Sequence, residues 1–300
     1  MLKIKLFLVI SFISFLAVPN LSVAQEIALQ VITKTIVKEI PFEEGQFLKI
    51  EGEKSEVDII SWDKDYIGVK VQIIAKHPDI TIAKDDIQHL YFETVIQKNE
   101  IILRDTIADT GSEIRSGLKA VYAISVPKNC KIKLSNYFGE ANITDLSHGL
   151  EVTSEFCNVQ LENIAGHIKV DTYFGDLIGV MINGDMSLSA RRSNITLSEI
   201  SGKFDIKAYM GIIKVFANQS FLDLNIDAEK TDVFFYDASL SAYNFNLKSR
   251  EGAINLPDNL LVDYNNTPQI KNAIIKPDSE LSGIRVAITV DYGDIKIANN

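Results

Sequence analysis

The chain has little of what most site chemistry uses. Its 300 residues hold only two cysteines and four histidines. Cys130 and Cys157 are too few for a disulfide scaffold, and their spacing fits no metal motif. No Cys, Asp or Glu at ligand spacing joins His77, His89, His148 or His167. Neither a metal nor a cofactor is expected. Basic charge is also short: 30 Lys and Arg face 40 Asp and Glu, a formal net charge of −10. That balance argues against nucleic acid, whose phosphates need clustered cations. Phosphate loop, dinucleotide fingerprint and nucleophile elbow are all missing.

A long apolar run occurs only at the start. Lys3 and Lys5 precede Leu6 to Val18, which only Ser11 and Ser14 interrupt. Ser22-Val23-Ala24 then places small residues at −3 and −1 of a cleavage site. This is the three-part pattern of a secretory signal peptide, with cleavage expected after Ala24. The run is short for a membrane span, and no later stretch is apolar enough to make one. The expectation is an exported protein, periplasmic, on the cell surface or secreted. Loss of Lys3 and Lys5 takes the formal charge from −10 to −12.

What the sequence does hold is a repeat. Ile132 to Phe221 divides into five units of 18 residues without a gap. Numbering each unit from its first apolar residue, position 0 is Ile132, Leu150, Ile168, Met186 and Phe204. Position 2 is Leu134, Val152, Val170, Leu188 and Ile206. Positions 9 and 11 are apolar too, and position 14 carries Leu146, Ile164, Ile182 and Ile200. Residues two apart on a strand share a face, so two inward walls are expected on either side of a turn. Spacings of 2, 7, 2 and 3 exclude a helical period. One unit cannot bury its wall alone, whereas units stacked at about 4.8 Å form a continuous core.

The template recurs at Leu48, Ile50, Val57 and Ile59; at Leu222, Leu224, Val233 and Phe235; at Phe245, Leu247, Ile254 and Leu256; and at Val286, Ile288, Ile295 and Ile297. The expected fold is all-β: one parallel β-helix or β-solenoid domain over residues 47–300, after a signal peptide at 1–24 and a lead-in strand within 25–46. An antiparallel insert at 66–127 separates the first coil from the main stack at 130–260, and a terminal coil occupies 284–300. Lys98-Asn99 is placed in a tight hairpin, Asp105 to Gly117 in a polar loop, and Asp258 to Ser282 in an irregular excursion.

These residues resemble a known group. Leu48-Lys-Ile-Glu-Gly52 with Val57-Asp-Ile-Ile-Ser-Trp62 looks like its first coil, and Val170-Asp-Thr-Tyr-Phe-Gly-Asp-Leu177 like its later ones. The group is the bacterial "putative adhesin" family of exported β-solenoid proteins, a domain of unknown function. The resemblance covers nearly all of the mature chain and implies fold more than activity, since the family has no established catalytic residues. This sequence departs from the Gly-Asp turn at Arg192-Ser193-Asn194 and at Met210-Gly211-Ile212. The export signal ending at Ala24-Gln25 is similar to those of Bacteroidetes-type proteins.

The candidate surface is the turn after the first wall. Position 5 carries Tyr137, Tyr173 and Tyr209, and position 6 carries Phe138, Phe156 and Phe174. Exposed aromatics there could stack on a glycan or meet an envelope protein; the plain alternative is a ladder that only stabilises turns. Position 7 is small throughout, with Gly139, Gly175 and Gly211 beside Cys157 and Ser193. This implies positive φ or close approach between units. Position 8 forms a polar column of Glu140, Asn158, Asp176 and Asn194.

The function expected is non-enzymatic binding, with adhesion and envelope sensing both fitting. The alternative is a polysaccharide lyase or glycosidase on a β-helix. For that reading Glu140 and Asp176 would stand about 9.6 Å apart, at the upper edge of the inverting range. Asn158 lies between them. Trp62 is read as a core cap. A bond between Cys130 and Cys157 is left open, and Asp105-Thr106-Ile107 resembles an O-glycosylation site.

Overall fold

The computed structural model describes residues 28–108, 111, 113–218, 220–277 and 284–299. The expected signal peptide lies outside them. Each apolar pair of the template forms a strand with that face inward, and equivalent strands lie side by side. Ile132 pairs with Leu150, Leu150 with Ile168, Ile168 with Met186 and Met186 with Phe204, all in parallel register 18 residues apart. The second wall repeats this through Ala141, Val159, Leu177, Ile195 and Ile213. Val152, Val170 and Leu188 stack in one column and are at most 1% exposed. Ile164 and Ile182 pair on a short third wall and are equally buried. At roughly 1.5–3 kcal/mol per large apolar side chain removed from water, these columns are the main source of cohesion.

The walls are joined by sharp corners in a backbone conformation that L residues avoid. One corner is position 6, with φ of 52° at Phe156, 55° at Phe174, 54° at Arg192 and 59° at Met210. Another is position 13, with 59° at Asp145, 52° at Asn163, 54° at Met181 and 54° at Glu199. The third is a glycine column, Gly166, Gly184 and Gly202. There the reason for glycine is contact: a Cβ on Gly184 would lie 2.1 Å from the carbonyl oxygen of Gly166.

All described strands join one mixed sheet, which is not closed. Its centre is parallel and both ends are antiparallel. Four sequence expectations need correction. First, the 66–127 insert does not part the first coil from the main stack: Leu48 pairs directly with Ile132, and Val57 with Ala141. The insert lies outside them, and two of its strands extend the parallel order, Ile101 beside Leu48 and Tyr122 beside Val57. Only then does the direction reverse, through Tyr66–His77 against Gly117–Pro127, Gln30–Pro41 against Tyr66–His77, and the hairpin Leu90–Ile96 with Glu100–Ile107.

Second, the unit after Phe204 begins at Leu224, not Leu222. Phe204 pairs with Leu224 and Ile213 with Val233. The spacing there is 20 residues rather than 18, and the two extra residues precede the first wall. Third, the far end is not in chain order. Val286 pairs with Leu224 on one side and with Phe245 on the other. The last strands, Arg285–Asp291 and Ile295–Ala298, thus lie between two units that precede them in sequence.

Fourth, local structure was missed. A helix, Ile80–Asp86, is capped by the Asp79 carboxylate on the Thr81 N–H at 2.7 Å. Within Asp258 to Ser282, the strand Ile270–Ile275 pairs antiparallel with Asn244–Arg250 and covers that end. Trp62 is half-buried rather than core. Its ring lies against Gly68 and under the Lys64 ammonium at 4.4 Å, and its Nε1 donates to the Tyr66 carbonyl at 2.9 Å.

A methyl group at the glycine corner would force tiers apart along the whole stack. Gly184→Ala is expected to destabilise the protein by roughly 2–4 kcal/mol. Gly45→Ala, where a Cβ would meet nothing within 4 Å, is expected to cost about 1 kcal/mol for its positive φ alone. Urea unfolding of the two variants measures the difference.

Candidate functional site

The candidate edge is the position 6 corner. Parallel register brings the three phenylalanines into a column. Phe138 stacks on Phe156 at 5.2 Å between centroids and 6° between planes, and Phe156 on Phe174 at 4.9 Å and 5°. The Arg192 guanidinium continues the column 5.1 Å from the Phe174 ring. Bulky side chains in the left-handed region cost about 1–2 kcal/mol each. Stacking returns about 0.5–1.5 kcal/mol per aromatic pair, so the column largely offsets its own strain. Of the two reasons expected for small residues at position 7, close approach holds at the glycines; positive φ falls mainly on position 6, and of the position 7 glycines only Gly139 shares it. Gly175 and Gly211 are required by contact, since a Cβ on either would lie 2.1 Å from the carbonyl oxygen of Cys157 or Ser193.

Stacking also decides what the column can present. Both faces of Phe156 are covered by rings, and those of Phe174 by Phe156 and Arg192. Ring edges face outward, with Phe138 and Phe156 each 45% exposed. The tyrosines are less uniform. Glu155 and Arg191 stand between them in the pairing order. Tyr173 packs edge-on against Phe174 at 4.3 Å, and the Tyr209 hydroxyl accepts from the Lys230 ammonium at 3.3 Å. Tyr137, 54% exposed, is the most open. A second aromatic group was not singled out from sequence. Phe216 stacks on Tyr236 at 5.0 Å, with Phe234 parallel beside it, on the outer side of the second wall. The outward parity of positions 10 and 12 was the available signal.

The position 8 column is a hydrogen-bonded ladder. Asn158 Oδ1 accepts the Asp176 N–H at 3.1 Å, Asp176 Oδ1 the Asn194 N–H at 3.0 Å, and Asn194 Oδ1 the Ile212 N–H at 3.2 Å. Asp232, Asp294 and the Ala253 N–H repeat the pattern at the far end. Asp176 is therefore engaged in holding its neighbour, which accounts for an Asx residue there without acid–base work; Glu140 stands in the same column between Glu56 and Asn158. Among the described residues, no group of three His, Cys, Asp or Glu could hold a metal ion.

Cys130 and Cys157 are both free and buried. Burial pushes the Cys130 thiol up to about 12, and raises Cys157 as well. The Cys157 sulfur accepts from Asn136 Nδ2 at 3.3 Å. Asp105 is the larger surprise. The sequence places it in a loop, yet it lies within the strand Glu100–Ile107 and is 6% exposed. Its carboxylate accepts from Ser55 Oγ and Tyr122 Oη, both at 2.8 Å. Burial raises its pKa, and the two hydroxyl bonds oppose that rise. Thr106 next to it is exposed, while the acidic residue of the Asp105-Thr106-Ile107 pattern is enclosed.

No family model and no curated protein matches the chain. Solved structures do. The chain is similar to a "putative adhesin" from Bacteroides fragilis at 16% identity, over 88% of this chain and 97% of that one, with a TM-score of 0.42. It is similar to a "putative lipid binding protein" from Parabacteroides distasonis at 14% identity, over 88% and 96%, TM-score 0.45. It is also similar to a "putative adhesin" from Parabacteroides merdae at 11% identity, over 88% and 96%, TM-score 0.46. Among the described residues, no helix is long and apolar enough to cross a membrane.

Two outcomes follow from this geometry. Replacing Phe156 by Gly relieves its backbone but breaks two stacks and is expected to lower stability by about 1–2 kcal/mol. Met210→Gly relieves the same strain outside the phenyl stack and is expected to be neutral or stabilising by up to about 1 kcal/mol; opposite shifts in melting temperature distinguish them. For Asp105, the raised pKa means that above the ordinary value of 3.8 the folded chain keeps a proton the unfolded chain has lost. Its contribution is full below that value and is lost as pH rises through the raised pKa. Melting curves from acid to neutral pH should show this decline in the native protein, and Asp105→Asn should remove it.

Proposed function

We propose that this chain is an exported, non-enzymatic binding protein whose main stack is a β-solenoid, and that the aromatic corner is its binding edge. The single observation that carries the reading is the unbroken column of Phe138, Phe156 and Phe174, with Tyr137 open beside it. An edge of stacked rings is rigid, costs little entropy to order on binding, and offers apolar contact over several tiers. Because ring faces are largely covered, the edge suits a protein or envelope component meeting it side-on better than a sugar lying flat on it. Export rests on the amino-terminal pattern ending at Ala24. The glycosidase reading has no comparable support, since Asp176 is engaged in the turn ladder.

The test uses the three tyrosines, which leave the phenyl stack in place. Tyr137, Tyr173 and Tyr209 are replaced together by Ala, and binding to cell-envelope fractions and to a glycan panel is compared with the native protein. The expected outcome is at least about a tenfold loss of envelope binding, or about 1.4 kcal/mol, in a variant that still melts cooperatively. Unchanged binding both in this folded variant and in Phe138→Ala removes the aromatic edge from the proposal. Cell fractionation with surface proteolysis tests the compartment.

A further inference from the structure

We propose that the strand Gln30–Pro41 is a self-complementary edge through which two copies of this chain pair. The strand is bonded on one side only, to Tyr66–His77, over twelve residues in continuous antiparallel register. Among the described residues, no other strand pairs with it and no further backbone hydrogen bond involves it. Alternate N–H and C=O groups therefore face outward along its free side. Such a row is a template for another strand, and natural edges are usually blunted by brevity, proline or a bulge. This edge is long, its register has no bulge, and its only proline is the last residue, Pro41.

The two faces of the strand differ. Ile32 and Ile36 are partly buried against the core, and the Lys38 ammonium donates to Thr94 Oγ1 at 3.0 Å and lies over the Phe92 ring at 5.4 Å. The even-numbered side of the strand thus faces the molecule. The odd-numbered side faces solvent, with Val31 53% and Val37 70% exposed and Thr33 and Thr35 exposed between them.

The strand's own sequence names the occupant. Residues 31–37 read Val-Ile-Thr-Lys-Thr-Ile-Val, the same in both directions. Antiparallel pairing about a two-fold axis at Lys34 sets Val31 opposite Val37, Ile32 opposite Ile36 and Thr33 opposite Thr35, each pair twice. β-branched residues facing one another, and Thr facing Thr, are favourable cross-strand pairs. A two-fold contact requires that if residue i meets j, then j meets i, and the palindrome satisfies this with like beside like. Neighbouring registers are poorer. An axis at Ile36 sets Lys34 against Lys38 twice, and an axis at Ile32 sets Ile36 against Ala28 and Thr35 against Leu29. The palindromic register keeps one like-charge contact, Lys34 with its symmetry mate, and both copies are net acidic. Salt screens both repulsions, so pairing strengthens as ionic strength rises. A lone strand edge offers less than the roughly 1,600 Å² of a standard interface. The dimer is accordingly weak, with a dissociation constant of about 10 μM to 1 mM. Three strands separate this edge from Gly139–Thr144 beside the aromatic corner; pairing does not depend on that corner, and a dimer presents it twice.

Sedimentation equilibrium of the chain without residues 1–24, from about 5 μM to about 1 mM, tests the proposal. The average mass should rise toward two copies and stop there. Val31→Lys with Val37→Lys sets like charges opposite each other and should weaken association about tenfold or more. Val31→Lys with Val37→Glu sets opposite charges together only in the palindromic register, and should restore it. Both positions are exposed, so folding should survive. A second measurement reads the axis directly. Facing residues in paired strands lie within disulfide reach, so Lys34→Cys should cross-link two copies under mild oxidation, whereas Glu39→Cys, far from the axis, should not. A monomer at every concentration, growth beyond two copies, equal association by the two double variants, or equal cross-linking by the two cysteine variants overturns the proposal.

Discussion

The structure depends on how closely one tier of backbone rests on the next. Parallel strands set that separation at about 4.8 Å, and the corners must respect it as strictly as the walls do. Where the chain turns, the carbonyl of one tier points at the Cα of the next, and Gly184 above Gly166 leaves no room for even a methyl group. Side-chain choice at the corners follows. Position 7 is small because it sits on a carbonyl. Position 8 is Asn or Asp because its oxygen can take the N–H of the following tier. Position 6 is left-handed because the direction must change within two residues. The apolar columns then fill an interior whose outline the corners have drawn.

That same spacing explains why a ladder of phenylalanines survives at strained positions. Rings repeating at about the strand separation meet face to face at 4.9–5.2 Å, close to the favourable stacking distance. When the phenyl run ends, Arg192 takes the next place with a planar cation. The outer walls differ in character as well. The first is laced with exposed charges in alternating pairs, such as Lys169 with Asp171 and Arg285 with Asp223, each worth about 0–1 kcal/mol. The second carries Ile178, Phe216, Phe234 and Tyr236 among polar and charged residues such as Gln160, Glu162 and Lys214.

Much of this was legible because period and parity are written locally. The 18-residue repeat placed Val152, Val170 and Leu188 in one column, and outward parity placed the position 5 and 6 aromatics at one corner. What was not legible is what a repeat cannot encode. Nothing local tells Val286 that it will sit between Leu224 and Phe245, since all three begin equivalent templates. Asp105 looked like loop because a charge in mid-strand usually faces water; only Tyr122 and Ser55, brought in from elsewhere, make its burial tolerable. The short helix at Ile80–Asp86 lacks a clear apolar stripe and is held by its cap and by tertiary packing.

The position of the final strands has a bearing on how the chain is made. Leu222–Tyr236 pairs on one edge with Ser201–Phe216, and on the other only with residues from Arg285 onward. Growth of the stack from the amino terminus must therefore halt at that strand. Its outer edge stays open while nearly fifty further residues emerge, and Asn244–Arg250 cannot dock until the closing segment has slipped in beneath it. Assembly of this end is thus tied to residues made well after the strand they complete. A chain cut short before Arg285 would keep its unfinished edge exposed.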